Sequence, residues 1–293
     1  MKKSVLTLNF FFQIIKSQID KNIFVMVFLI HNIKGGIKMS NLFNLEGKFA
    51  VVTGASSGLG RQFALALARD GANVAILARR VDRLEQVKAE VEALGVKCIA
   101  VKCDVADNDS IKNAVAEVVA DFGRIDILVN NAGIGSGAPA ESQEDSIWDS
   151  TIRINLSGVY YVAREVGKVM IAQNYGKIIN IGSIHSTVAM AGSPITAYCA
   201  SKGGVEMLTK ALANEWAKYN ITVNAIGPAY FESEMTDMVI NTPEFGMAVK
   251  AYCPMGRPGK AGELDGALVY FASDASSYTT GQLLTVDGGW TTI

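Results

Sequence analysis

From Glu46 onward the chain alternates short apolar runs with amphipathic stretches of helical spacing, and nothing else in the sequence constrains its fold as strongly. Phe49–Val52 reads as a first strand that runs into TGASSGLG, after which Arg61–Arg69 continues as a helix. Asn73–Leu77 is a second strand, and Asp82–Leu94 has helical periodicity that Gly95 ends. Further strands are expected at Cys98–Lys102, Ile125–Val129, Lys177–Ile181, Thr222–Ala225 and Leu283–Val286. Helices are expected around Ser110–Asp121, Trp148–Gln173, Ala200–Tyr219 and Gly262–Ala272. Strands joined through helices run parallel, with right-handed crossovers that cover both faces of the sheet. The pattern therefore predicts an α/β fold: one doubly wound domain whose parallel sheet has about seven strands. No internal repeat and no Pro/Ser-rich linker follows Met39.

Composition narrows the function classes. With 293 residues, 49% of them hydrophobic and 19% charged, the chain can bury a sizeable core and is not disordered over most of its length. Lys and Arg number 27 against 28 Asp and Glu, so no basic excess exists to hold a phosphate polymer, and a nucleic-acid partner is not expected. The four cysteines have neither zinc-site spacing nor the density of a disulfide scaffold, and read as reduced thiols of a cytoplasmic protein. Two histidines, His31 and His185, argue against a His-rich metal site, so no metal is expected.

Residues 1–38 differ from the rest in their Lys, Asn, Ile and Phe bias. Their apolar clusters, Phe10–Ile15 and Ile23–Ile30, are separated by Lys16, Asp20, Lys21 and Asn22. Neither reaches the roughly 20 residues that span a bilayer, so no membrane partner is expected. Lys2 and Lys3 could open a secretory signal, but no small-residue cleavage site follows. Lys34–Lys38 can be encoded as AAA GGA GGA ATA AAA, a purine-rich ribosome-binding sequence just ahead of Met39. The expectation is that translation begins at Met39 and that 1–38 is non-native or a disordered tail, the alternative being a genuine membrane or targeting segment. Residues 39–293 form the folded domain.

Two constellations carry chemistry. Gly54, Gly58 and Gly60 sit where the first strand turns into the first helix. Residues without a Cβ let the backbone bend and a pyrophosphate approach, and the helix then offers free N–H groups and its positive dipole end. Glycines at such turns are also often structural, and the spacing G-x-x-x-G-x-G is weak by itself. In YCASK, Tyr198 and Lys202 lie one helical turn apart on one face. A free phenol, with a pKa of roughly 10, is a poor acid–base group, and a nearby ammonium favours its ionised form. Such a pair is also common on helix surfaces.

With those residues in place, the chain resembles the short-chain dehydrogenase/reductase family over Leu45–Trp290. The resemblance rests on TGASSGLG (Thr53–Gly60), CDV (Cys103–Val105), NNAG (Asn130–Gly133), RINLSG (Arg153–Gly158), NIGSI (Asn180–Ile184), YCASK (Tyr198–Lys202), VNAIGP (Val223–Pro228) and VDGG (Val286–Gly289), in that order. It implies a Rossmann fold and an oxidoreductase that exchanges a hydride between a nicotinamide dinucleotide and an alcohol or ketone. By resemblance, Tyr198 is the acid/base and Ser183 orients the same substrate oxygen. Lys202 lowers the tyrosine pKa and holds the nicotinamide ribose, and Asn155 ties a water to Lys202. Gly54, Ser56, Ser57, Gly58, Leu59 and Gly60 form the dinucleotide loop. Asp104, Val105, Asn131, Ala132 and Gly133 border the adenine side, Asn131 being partly structural, and Pro228 and Ala229 adjoin the nicotinamide.

Cofactor choice turns on the end of the second strand, where NAD enzymes usually place a carboxylate. Here Ala78 occupies that place, followed by Arg79 and Arg80. A missing carboxylate removes repulsion from a 2′-phosphate and a guanidinium can pair with it, so NADP is expected and NAD is second choice. Arg79 is the expected clamp; Arg80 either assists or is a solvated charge. Departures from the family pattern weaken the transfer of substrate: Ala229 follows Pro228 where glycine is usual, Ser233 stands for the nearby threonine, and the fourteen residues between Ser183 and Tyr198 exceed those of many relatives.

Three loops, Ile134–Ala140, Ile184–Ile195 and the lid Ala229–Arg257, should supply the substrate surface, with His185, Tyr230 and Phe231 as candidate contacts. His185 is equally readable as a hydrogen-bonded loop residue. The lid, rich in Met and aromatics, is either a packing unit or subunit contact, or a closing cover over an apolar pocket. The lid wording resembles the gluconate 5-dehydrogenase-like branch, which implies a sugar acid or polyol. Alternatives are a hydroxysteroid dehydrogenase, a 3-oxoacyl-carrier-protein reductase or a non-catalytic dinucleotide sensor. The long helices Trp148–Gln173 and Ala200–Tyr219 carry apolar residues on more than one face, and a homotetramer or homodimer is expected.

Overall fold

Seven strands form a single parallel sheet in the order β3-β2-β1-β4-β5-β6-β7. They are β1 Phe49–Thr53, β2 Asn73–Ala78, β3 Cys98–Lys102, β4 Ile127–Asn130, β5 Gly176–Ile181, β6 Ile221–Pro228 and β7 Leu283–Val286. This computed structural model describes residues 42–135, 137–190, 192–231, 233, 236 and 240–292. The expectation for residues 1–38 and the lid residues Met235 and Met238 lie outside the described residues. Leu42–Ile293 is one compact unit.

The strands are apolar nearly throughout because both faces are covered. Alternate residues face opposite layers. Ala50, Val52, Val74, Ile76 and Val129 pack against Phe63, Leu67, Leu84, Leu268 and Phe271. Those residues come from α1 Gly58–Arg69, α2 Val81–Glu92 and α8 Asp265–Ala272. Val51, Ala75, Leu77 and Leu128 face the other way, against Ile111, Val118, Val162, Val166 and Leu212. The latter belong to α3 Asn108–Phe122, α5 Val159–Gln173 and α6 Thr196–Trp216.

Strand order reverses at β1, which pairs with β2 on one side and β4 on the other. Helices feed opposite faces from that point, so a crevice opens beyond the carboxyl ends of β1 and β4. Thr53 closes the gap beneath it: its hydroxyl accepts from the N–H groups of Asn131 at 3.0 Å and Ala132 at 3.1 Å.

Besides shifts of a few residues, such as α6 starting at Thr196 and β4 at Ile127, the structure departs from the sequence expectation at three elements. The helix expected over Trp148–Gln173 begins earlier and is interrupted: α4 Asp145–Ile152 passes into a π-turn, Arg153–Gly158, before α5. Strand β6 runs on to Pro228, because that proline lies at its end, where the missing N–H matters least. The lid contains a helix not foreseen, α7 Pro243–Tyr252, started by Thr242, whose hydroxyl accepts from Phe245 N at 3.2 Å. Its Thr-Pro start is a legible N-terminal signal that Gly246, in the middle of the segment, obscures. Among the described residues no helix is long and apolar enough to cross a membrane.

Candidate active site

The loop after β1 can exist only with glycine. Gly54 and Gly58 have φ of +67° and +52°, in the left-handed region. A Cβ at Gly60 would collide with the Gly54 carbonyl oxygen and come within 2.6 Å of Asn131 Nδ2. Gly60→Val is therefore expected to open the loop and abolish dinucleotide binding, measured as loss of the NADPH fluorescence change; retained binding would show that the loop tolerates a branched side chain. The hydroxyl of Ser57, the residue before α1, accepts from Arg80 Nη2 at 2.8 Å rather than capping that helix. First-turn N–H groups are thereby left to an anion, and the glycine cradle fits a pyrophosphate. Leu59 lies in the first turn of α1, partly buried against the core.

Two arginines follow β2, and the structure treats them differently. Arg80 donates to Ser56 Oγ through Nη2 at 3.0 Å and through Nε at 3.3 Å, as well as to Ser57. Its guanidinium is thus held against the glycine loop. Arg79, the residue expected to act as clamp, is exposed at the end of the strand. The serines that hold Arg80 are twenty-three and twenty-four residues away in sequence, which is why spacing could not rank the pair.

Asp104 accepts from Ala106 N at 3.0 Å, and its own N–H donates to Ser110 Oγ at 2.9 Å. These bonds fix the turn after β3. Val105 lies against the π-turn, since a Cβ at Gly158 would come within 2.8 Å of its carbonyl oxygen. Asn131 Nδ2 donates to Thr53 O at 3.0 Å and joins β1 to β4 directly. Gly133 is close-packed on the Asn155 side chain, with 3.3 Å between a Cβ built there and Asn155 Oδ1.

Asn155 is completely buried at the heart of the π-turn. Its side-chain amide pairs with the Ile134 backbone in both directions, accepting from Ile134 N at 2.8 Å and donating to Ile134 O at 2.9 Å. That pairing locks the loop after β4 to the helix. With the side-chain amide so engaged, the water expected beside Asn155 would meet its backbone carbonyl. Interruptions of this kind free backbone groups from the helix ladder.

Ser183, Tyr198 and Lys202 come together beyond the end of β5. Ser183 has extended backbone, and its hydroxyl accepts from His185 N at 3.1 Å. Ser186 completes a capping box, accepting from Ser183 N at 3.2 Å while donating to the Lys202 carbonyl at 2.9 Å. It was missed among the site residues, although S-x-x-S beginning at Ser183 is a legible cap signal. Tyr198 is in the first turn of α6, with its phenol near the Ser183 hydroxyl. Burial pushes its phenol above the ordinary range, opposed by the Ser183 hydroxyl. This direction differs from the expectation that Lys202 lowers it. The Lys202 ammonium lies 5.7 Å from the ring centroid and donates to the Ile181 carbonyl at 2.7 Å. Burial drives Lys202 itself down to about 8. It remains mostly charged at neutral pH, but desolvation dominates the site.

A buried polar layer supports these groups from below. Asn130 Nδ2 donates to Asn180 Oδ1 at 3.0 Å, and Asn180 Nδ2 to Thr209 Oγ1 at 2.9 Å, joining β4, β5 and α6. Elsewhere burial raises the thiol pKa of Cys98 to about 12 and of Cys103 to about 11, so both are inert. All four cysteines are free.

Around the mouth, Ala229 N donates to Val286 O at 3.3 Å at the end of β6, next to Pro228. Tyr230 is clasped by Phe245 and Trp290, with ring centroids 4.8 Å and 5.2 Å away. Phe231 is buried, and its ring lies so close to Gly259 that a Cβ there could not fit. Packing accounts for most of Phe231, although it and Tyr230 also line a largely apolar cavity of about 330 Å³ with Met255, Arg257 and Trp290. Within the lid, Phe245 and Val249 are core, while Met247 and Tyr252 are exposed.

Residues 54–291 match the family model described as enoyl-(acyl carrier protein) reductase. The chain is 41% identical over 251 residues to the gluconate 5-dehydrogenase of Gluconobacter oxydans, covering 86% of this chain and 97% of that one. It is 40% identical over 247 residues to a 3-oxoacyl-[acyl-carrier-protein] reductase of Thermotoga maritima, covering 84% and 98%. The crystal structure of a gluconate 5-dehydrogenase from Burkholderia cenocepacia in complex with NADP and tartrate superposes with a TM-score of 0.83 at 39% identity, covering 86% of this chain and 98% of that one. A seven-stranded doubly wound sheet, a glycine cradle at its switch point and near-complete coverage of such relatives lead to one assignment: the chain belongs to the short-chain dehydrogenase/reductase family of oxidoreductases acting on CH–OH donors.

Proposed function

We propose that this protein transfers a hydride between NADP(H) and a secondary alcohol or ketone of the sugar-acid or polyol class. The observation that carries the redox chemistry is the cluster of Ser183, Tyr198 and Lys202 beyond the end of β5, at the same edge of the parallel sheet as the glycine cradle. The sugar-acid reading is supported by the gluconate 5-dehydrogenases to which the chain is similar. NADP is favoured because Ser56 and Ser57 hold the Arg80 guanidinium at the glycine loop, and β2 ends in Ala78 where NAD enzymes usually place a carboxylate.

When bound, the dinucleotide supplies or accepts the hydride at its nicotinamide. The chain's residues do the rest. Tyr198 gives its phenolic proton to the substrate oxygen during reduction, and takes one back during oxidation. Ser183, its hydroxyl oriented by the His185 N–H, holds the same oxygen, a donor placed where charge develops. Lys202 offers its ammonium to the ribose hydroxyls from a pocket anchored on the Ile181 carbonyl. Asn155, clamped to Ile134, shapes the π-turn so that its carbonyl can hold a water on the way to Lys202. Exposed Trp148, Tyr160 and Met207 on α4, α5 and α6 support assembly through those helices as a homotetramer or homodimer. The free cysteines suit the cytoplasm.

A test is NADPH and NADH oxidation against 5-ketogluconate, an acetoacetyl thioester and a keto-steroid. Turnover of the keto acid with NADPH preferred is the expected outcome. Preference for the thioester or the steroid would overturn the substrate assignment, and cofactor binding without turnover of any ketone would favour a dinucleotide sensor.

A further inference from the structure

His185 stands among the reacting groups, and its two ring nitrogens are not equivalent. Its backbone N–H donates to Ser183 Oγ at 3.1 Å. Its ring stands edge-on to Tyr198 and to Tyr230, with centroids 6.1 Å and 6.5 Å away. On the loop side, Nδ1 lies 3.1 Å from the Val188 carbonyl oxygen. A carbonyl has no proton to give, so Nδ1 carries the proton and Nε2 is a bare acceptor. Among the described residues Nε2 has no hydrogen-bond partner. Burial holds the imidazole below its usual range against a smaller opposing effect of the Val188 bond, so the ring is neutral at pH 7. A ring locked in one tautomer beside the reacting hydroxyls presents one unmet acceptor. Leaving such an acceptor unpaired under a bound substrate costs free energy.

We propose that His185 Nε2 accepts a hydrogen bond from a hydroxyl on the substrate carbon next to the reacting carbon, selecting vicinal diols and α-hydroxy ketones over alcohols and ketones that lack that neighbour. The inference rests on the reading of Ser183 and Tyr198 as the groups that hold the reacting oxygen. Of all substrate groups, a hydroxyl on the adjacent carbon lies nearest to that oxygen, within the reach of a ring that borders Tyr198 and whose backbone holds Ser183. Sugar acids and polyols carry such a hydroxyl. A steroid ketone has a methylene there and would leave Nε2 unpaired.

The test compares acetoin with butan-2-one, which differ only in that hydroxyl, as substrates for NADPH oxidation. A site built to bond a hydroxyl discriminates strongly against the analogue without it. The wild type should prefer acetoin in kcat/KM by about tenfold or more. His185→Phe keeps a ring and the backbone bond to Ser183, and should collapse the ratio toward one. His185→Gln, whose amide oxygen can accept, should retain part of the preference, and decides the matter if the phenylalanine variant does not fold. A wild-type ratio near one overturns the inference, as does an unchanged ratio in a variant that binds NADPH. A wild type that binds NADPH but reduces neither ketone nor 5-ketogluconate overturns the reductase reading, and this inference with it.

Discussion

Replacing Tyr198 by phenylalanine is expected to lower kcat by about 10²- to 10⁴-fold, the usual worth of a positioned acid–base group, while NADPH still binds. The phenyl ring keeps its place between Lys202 and His185, so packing is conserved and only the hydroxyl that meets Ser183 is lost. The sign of the pH dependence follows from burial. Because the phenol titrates above its ordinary range, it is protonated at neutral pH and ready to act as an acid. Ketone reduction should therefore proceed at neutral pH and decline as the phenol ionises. Alcohol oxidation needs the ionised form and should rise with pH. Tyr198→Phe should abolish both limbs. Steady-state rates in the two directions across pH, with NADPH titrations of each variant, check this. A variant with near wild-type turnover would remove Tyr198 from the mechanism.

Arg80→Asp is expected to weaken NADPH binding by roughly 10- to 100-fold, with little loss of NADH affinity. The lower end of the range for charge-pair truncation applies because Arg80 is exposed and partly screened by solvent. Its effect comes from preorganisation. Ser56 and Ser57 already hold the guanidinium against the loop, so less side-chain freedom remains to be lost on binding. Arg79→Asp should cost less, because among the described residues no hydrogen bond holds that equally exposed side chain at the glycine loop. Isothermal titration with both nucleotides distinguishes them. A larger loss from Arg79→Asp would return the clamp to the first arginine.

The division between what was legible in the sequence and what was not follows the range of the interactions involved. Strands β3 and β7 have the limits expected from their apolar runs, because two-sided burial leaves a signal in consecutive residues. The π-turn around Asn155 left no such signal. It exists because Ile134, on another loop, satisfies both ends of the Asn155 amide. Helix α7 was hidden for a related reason: its burial depends on Phe245 and Val249 meeting Ile184 and Trp290, far away in the chain.

By itself the sequence determined the alternation that forces a parallel doubly wound sheet. It also supplied the glycines that only a close backbone approach requires, and the helical spacing that puts Tyr198 and Lys202 on one face. These are local properties, set by backbone sterics and by periods of two and 3.6 residues. Only the tertiary structure decided that Arg80 rather than Arg79 is held at the glycine loop, that burial raises Tyr198 instead of a charge lowering it, and that His185 leaves Nε2 as its unpaired acceptor. Each depends on a desolvated neighbourhood or on a hydrogen-bond partner supplied by the folded backbone, and neither is written in residue spacing.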